Sequence, residues 1–157
     1  YEGTPFSTTL ALALSDGSIR LVDLRSPSEA HTFLITDEIE GVGRTHVTGI
    51  TWSPDKLSII SSTGLGDLIL FDLRMCGIRS YIHSAHSSTC FGSSFYSNTN
   101  QSLFVSWSSD GSLRTWDINT LQGEGSQSNC LKEIIIPDYP IFCATPNLSN
   151  NNEELII

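Results

Sequence analysis

A chain of 157 residues, 39% of them hydrophobic, is long enough to bury one ordinary core and is not a disordered acidic tail. Its net charge of −9 and pI near 4.6, with no Lys/Arg cluster, repel phosphate backbones, so direct nucleic-acid binding is not expected. No apolar run approaches the ~20 residues that a bilayer-spanning helix needs, which excludes a membrane helix.

The chain begins Tyr1-Glu2-Gly3-Thr4-Pro5, with no basic start ahead of an apolar run, so no signal peptide is expected. Without an initiator Met it is expected to be an excerpt of a longer chain. Leu10 to Leu14 leads as a strand into Ser15-Asp16-Gly17, and a second strand runs from Ser18 to Arg25. Thr36 to Thr45 forms a loop whose Asp37, Glu38 and Glu40 make a candidate acidic contact. Val47-Thr48-Gly49-Ile50-Thr51-Trp52 is an inner strand that ends in a Pro54-Asp55 turn. Leu68-Ile69-Leu70-Phe71 is apolar at consecutive positions, which predicts a strand covered on both faces. Cys90 to Tyr96 is a second copy of the inner strand, and Ile141-Phe142-Cys143-Ala144 begins a third. The stretches Ser93 to Ser102 and Leu121 to Asn129, rich in Ser, Asn, Gln and Gly, read as insertions without a fixed structure at their tips. No helical periodicity appears, so the fold class is all-β.

Three segments of this run repeat. Each is a turn, then a strand closing on a hydrophobic residue and Asp: residues 15–25, 64–74 and 109–119. The closing aspartates Asp23, Asp72 and Asp117 are 49 and 45 residues apart. Asp-Gly at two of the turns is expected to supply the positive φ angles of a two-residue hairpin.

The third segment, Ser109-Asp110-Gly111-Ser112-Leu113-Arg114-Thr115-Trp116-Asp117, ends in a Trp-Asp pair and has His86 upstream. On these residues the chain resembles the WD-repeat family over essentially its whole length. The resemblance implies a partial β-propeller: a partial blade at 1–38, blades at 39–84 and 85–136, and the start of another at 137–157. It also implies a ring of seven blades, the number most frequent in the family, so the remaining blades are expected from further sequence or another chain. Finally, it implies a buried hydrogen-bonded network in the third repeat from Trp116 through Ser108 to His86 and Asp110, locking the blade. The other repeats depart from the pattern. In the first, Leu14 and Val22 stand for the hydroxyl and the Trp, though Asp16 remains. In the second, Thr63 can serve as the hydroxyl, but Leu65 replaces the Asp and Phe71 the Trp. His46 lies too close to the inner strand for the usual His position.

Other chemistries fit less well. Ser108, His86 and Asp110 as a hydrolase triad lack a nucleophile elbow, an oxyanion-hole candidate and a reason for Trp116. His83 and His86 lack a carboxylate or thiol at ligand spacing, and Cys76, Cys90, Cys130 and Cys143 show no CxxC, so no metal or cofactor is expected. The cysteines read as reduced, mostly buried thiols, and the sequons at Asn100 and Asn147 as chance occurrences in an intracellular protein of the cytoplasm or nucleus.

Val22-Asp23-Leu24-Arg25 and Phe71-Asp72-Leu73-Arg74 both end in D-x-R, and Asn119 breaks the run in the third repeat. This tandem pair is similar to WD-repeat substrate receptors of cullin-RING ubiquitin ligases, and Trp52-Ser53-Pro54 followed by Phe71-Asp72-Leu73-Arg74 is similar to the Cockayne-syndrome A type, involved in DNA repair. That resemblance implies adaptor binding through Arg25 and Arg74. The expected function is a non-enzymatic scaffold for proteins in a multi-subunit complex, with the ligase receptor as the alternative.

Overall fold

The computed structural model describes residues 8–26, 30–34, 45–96, 102–121, 123–125 and 129–146. These form twelve strands and no α-helix, and no segment among them is a helix able to cross a membrane. β1 (Thr9–Ala13), β2 (Ser18–Asp23) and β3 (Ala30–Leu34) make a first antiparallel sheet. β4 (Val47–Trp52), β5 (Ser58–Thr63), β6 (Leu68–Asp72) and β7 (Gly77–Ile82) make a second, and β8 (Cys90–Phe95), β9 (Leu103–Ser108), β10 (Ser112–Asp117) and β12 (Lys132–Ile135) a third. The three sheets stand side by side and do not close a ring among the described residues.

Strand alternation divides the apolar residues between two interfaces. On β6, Leu68 and Leu70 face the third sheet, where they meet Cys90, Phe104 and Trp116. Ile69 and Phe71 face the first sheet and meet Ile19 and Leu21. All four are at most 3% exposed, and burying one such side chain contributes about 1.5–3 kcal/mol. A strand between two sheets therefore needs apolar residues at every position. The outer face of the first sheet is different, with Leu10 and Leu12 nearly half exposed.

The sheets converge at their first strands. β4 lies against β8 and against β1, and among the described residues the outer strands of different sheets make no comparable contact. The Thr48 hydroxyl donates to the Cys90 carbonyl, and the Thr51 hydroxyl donates to the Ser93 carbonyl at 2.7 Å. Both bonds span 42 residues, so β4 and β8 run in the same direction in matching register. Each strand also carries the same β-bulge, at Val47/Gly49 in one and Cys90/Gly92 in the other. Gly49 permits the close approach, since a Cβ there would stand 3.0 Å from the Phe91 carbonyl oxygen, whereas Gly92 makes room within its own sheet, where a Cβ would stand 2.8 Å from the Trp107 ring.

The hairpin turns correct the sequence expectation. They are three-residue loops in which only the glycine is left-handed (Gly17, Gly66 and Gly111, φ 77 to 85°), and Asp16 and Asp110 keep negative φ. The aspartate serves otherwise. Asp16 Oδ1 accepts from the backbone and hydroxyl of Ser18, and Asp110 Oδ1 does the same with Ser112, fixing the first residue of the next strand.

Three further expectations change. Ser93 to Phe95 lie in β8, as the inner-strand reading of Cys90 to Tyr96 expects, so the insertion does not begin at Ser93; Ser93 and Phe95 are buried. Leu121 is buried, and β11 (Gly123–Gly125) joins the outer edge of the second sheet, parallel to β7, although its sequence falls between β10 and β12 of the third. Backbone pairing thus fixes a Gly-rich stretch that no side-chain pattern marks. Residues 141–144 are not a strand and pair with none among the described residues. They lie over the far face of the third sheet, with Ile141 packed on Val105, Trp107 and Leu113 and its N–H bonded to the Ser108 carbonyl.

Candidate functional site

Strand register builds a closed polar chain inside the third sheet. On the face turned to the second sheet, Phe104, Ser106 and Trp116 come together because Trp116 pairs with Phe104 and Arg114 with Ser106. His86 enters from the loop before β8, its backbone N–H held by the Gly66 carbonyl. The Trp116 indole N–H donates to Ser106 Oγ at 2.8 Å, and Ser106 lies 2.7 Å from His86 Nε2. His86 Nδ1 lies 2.8 Å from Ser112 Oγ, whose proton goes to Asp110 Oδ1, and 3.4 Å from Asp110 Oδ2. One tautomer satisfies every member: Nδ1–H donates toward Ser112 and Asp110, and Nε2 accepts the Ser106 proton.

The hydroxyl in this chain is Ser106, not Ser108. Ser108 lies on the same face two residues nearer the turn, about 7 Å farther along the strand. Its hydroxyl oxygen accepts from the Asp110 backbone N–H and its O–H donates to the Ser88 carbonyl. Ser112 was also not anticipated, and it joins His86 to Asp110. The alternation of β9 signals Ser106 and Ser108 equally, and only the pairing with β10 separates them.

Burial depresses the His86 pKa to about 4; the Asp110 charge opposes this, and the Arg114 charge adds to it. Burial also raises the Asp110 carboxyl, but hydrogen bonds from Ser112 and Ser87 outweigh that and hold it at about 2. Arg114 donates to the Ala85 carbonyl and to Glu133, closing the site from the outer strand. His86 is 1% exposed, with both ring nitrogens on hydroxyls, so this constellation offers no base to a substrate.

The second sheet carries different chemistry at the equivalent turn. Asp67, 1% exposed, accepts from the Ser84 backbone N–H and lies 3.2 Å from Nδ1 of the exposed His83. His83 and His86 therefore face separate carboxylates and do not converge. No cluster of three or more potential metal ligands occurs among the described residues. The four cysteines are free. Only Cys90 is fully buried, its thiol pushed by burial up to about 12, whereas Cys76 and Cys143 are exposed.

The three closing aspartates share one role. Asp23, Asp72 and Asp117 each accept, through Oδ1, the backbone N–H two residues on. In the first two, the arginine folds back to make a two-pronged pair, with Nη2 to Oδ2 at 2.8 Å in both. The Arg25 hydrogen bonds hold the Asp23 carboxyl well below the usual range, and those of Arg74 hold Asp72 at about 2. Both guanidinium groups remain mostly exposed. Asp37, Glu38 and Glu40, the sequons at Asn100 and Asn147, and residues 154–157 lie outside the described residues.

A polar cleft of 270 Å³ opens beside the second D-x-R turn, between Ser53, Asp55, Arg74 and Arg79 of the second sheet and Asn119 of the third. The sequence reading did not single out Arg79. No protein-family model matches the chain, and no curated protein matches it.

Proposed function

We propose that this chain is part of a WD-repeat β-propeller acting as a non-catalytic scaffold for protein partners. The observation that carries the reading is the repeated inner strand: identical bulges at Gly49 and Gly92 and two hydroxyl-to-carbonyl bonds of equal 42-residue span. Sheets related by one repeated step, joined at their first strands and apolar on both faces, are wedges stacked around an axis. The linked Trp116, Ser106, His86 and Asp110 support the family reading further. The function follows from the architecture by fold-level analogy, since rims and loops carry binding in such folds. Exposed Leu10 and Leu12 on the outer face of the first sheet fit a further wedge, from additional sequence or another chain. Co-purification from native cells with mass spectrometry is the test. Stoichiometric protein companions are expected, and a protein that elutes alone counts against the scaffold.

The second reading is a ubiquitin-ligase substrate receptor. It draws on Arg25 and Arg74, which present matching exposed guanidinium groups on successive sheets, each pre-set by its own aspartate. In a pull-down with a ligase adaptor, Arg25→Ala plus Arg74→Ala should abolish capture; unchanged capture ends this reading.

A further inference from the structure

Arg79 holds an unusual place in β7. Leu70 pairs with Ser80 and Phe71 with Ile78, so Arg79 is the extra residue of a β-bulge and has no partner in the ladder. Bulges re-aim side chains, and this one places Arg79 in the lining of the 270 Å³ cleft. Arg25, Arg74 and Arg114 are each committed to a carboxylate at 2.6–2.8 Å. Half-buried Arg79 makes no ion pair among the described residues.

The other walls are polar except at Ile118. Asn119 faces the cleft from the third sheet and Ser53 and Ser58 from the β4–β5 turn. Asp55 also lines it, with Oδ1 occupied by the Ser53 hydroxyl and the Leu57 N–H. With Arg74 paired to Asp72, the lining charges left are Arg79 and Asp55, and Asp55 already accepts those two hydrogen bonds through Oδ1. A single planar carboxylate matches the open guanidinium fork. Asp55 in the same lining repels a dianionic phosphate more strongly than a monoanionic carboxylate.

We propose that this cleft binds the carboxylate of an acidic side chain on a partner protein, with Arg79 as the recognising residue. The proposal rests on the scaffold reading for the source of the ligand. Its test uses small probes, so it fails or stands apart from any partner capture.

The experiment is a titration of the whole chain, followed by the Arg side-chain Nε–H signals in NMR. The probes are N-acetyl-glutamate α-amide, its glutamine counterpart and inorganic phosphate. The Arg79 signal is expected to move and saturate with the glutamate probe, not to move with the glutamine probe, and to respond more weakly to phosphate. In Arg79→Gln, glutamate binding read from the surrounding backbone amides should weaken about tenfold or more, as for loss of a charge-assisted hydrogen bond. Arg79→Lys, which keeps the charge without the fork, should lose part of it, and Arg20→Gln none. Thermal melting identifies any variant that fails to fold, and Arg79→Lys then carries the comparison. Equal binding of the glutamine probe, tighter binding of phosphate, equal loss in Arg20→Gln, or unchanged binding in the Arg79 variants would each overturn the proposal.

Discussion

The hydroxyl of Ser106 lies 2.7 Å from Nε2 of His86, where it also receives the indole hydrogen of Trp116. Removing it leaves two buried polar groups without partners. Ser106→Ala is therefore expected to cost about 2–3 kcal/mol in denaturant unfolding, and Ser108→Ala about 1 kcal/mol or less. Equal losses would show that the chain of bonds does not run through Ser106.

His86 and His46 differ in the same sense. His86 is enclosed and its ring joins three polar partners, whereas exposed His46 rests its ring over Gly64. His86→Ala should cost about 2–4 kcal/mol, and His46→Ala less than about 1 kcal/mol. Identical thermal shifts for the two variants would contradict this contrast.

Stability should also depend on pH through His86. Its imidazole titrates near 6.5 when unfolded and at about 4 in the fold, so between these values the unfolded chain binds more protons. The stabilisation from keeping it neutral is fully present above pH 6.5 and is lost as pH falls through 4, up to about 3 kcal/mol. Asp110, held at about 2, adds a further loss below its ordinary 3.8. Melting temperatures of the parent and His86→Gln between pH 7 and 4.5 test this: the parent should fall more steeply, and parallel curves would remove His86 as the cause.

The approach of β4 to β8 depends on Gly49. A Cβ there meets the Phe91 carbonyl, the Ser62 hydroxyl and the Gly92 backbone at 3.0–3.1 Å, so Gly49→Ala must part the two strands. A loss of about 1–3 kcal/mol is expected. An unchanged or raised melting temperature, the usual result of Gly→Ala at an unstrained site, would show that the strands do not meet as described.

Much of the fold was legible because its causes are local. The apolar run Leu68 to Phe71 announces a strand covered on both faces, and the apolar clusters on either side show it is so covered. The glycine turns announce hairpins, although the aspartates beside them act through their carboxylates and not through their φ angles. The site was legible only as residue types. Trp116, His86 and Asp110 could be named, but Ser106, Ser112 and Arg79 owe their roles to cross-strand register and to a bulge, and neither leaves a mark in composition or period.

By itself, the order of residues determined that the chain is all-β, where its hairpins turn, and which strand is apolar on both sides, since all of these follow from near-neighbour sterics and side-chain alternation. Tertiary structure alone decided which serine completes the His86 network, that Gly123–Gly125 crosses to the second sheet, and that Arg79 faces a cleft. Each of those depends on where a distant strand lies, and a hydrogen bond or an ion pair acts only over the few ångströms that packing sets.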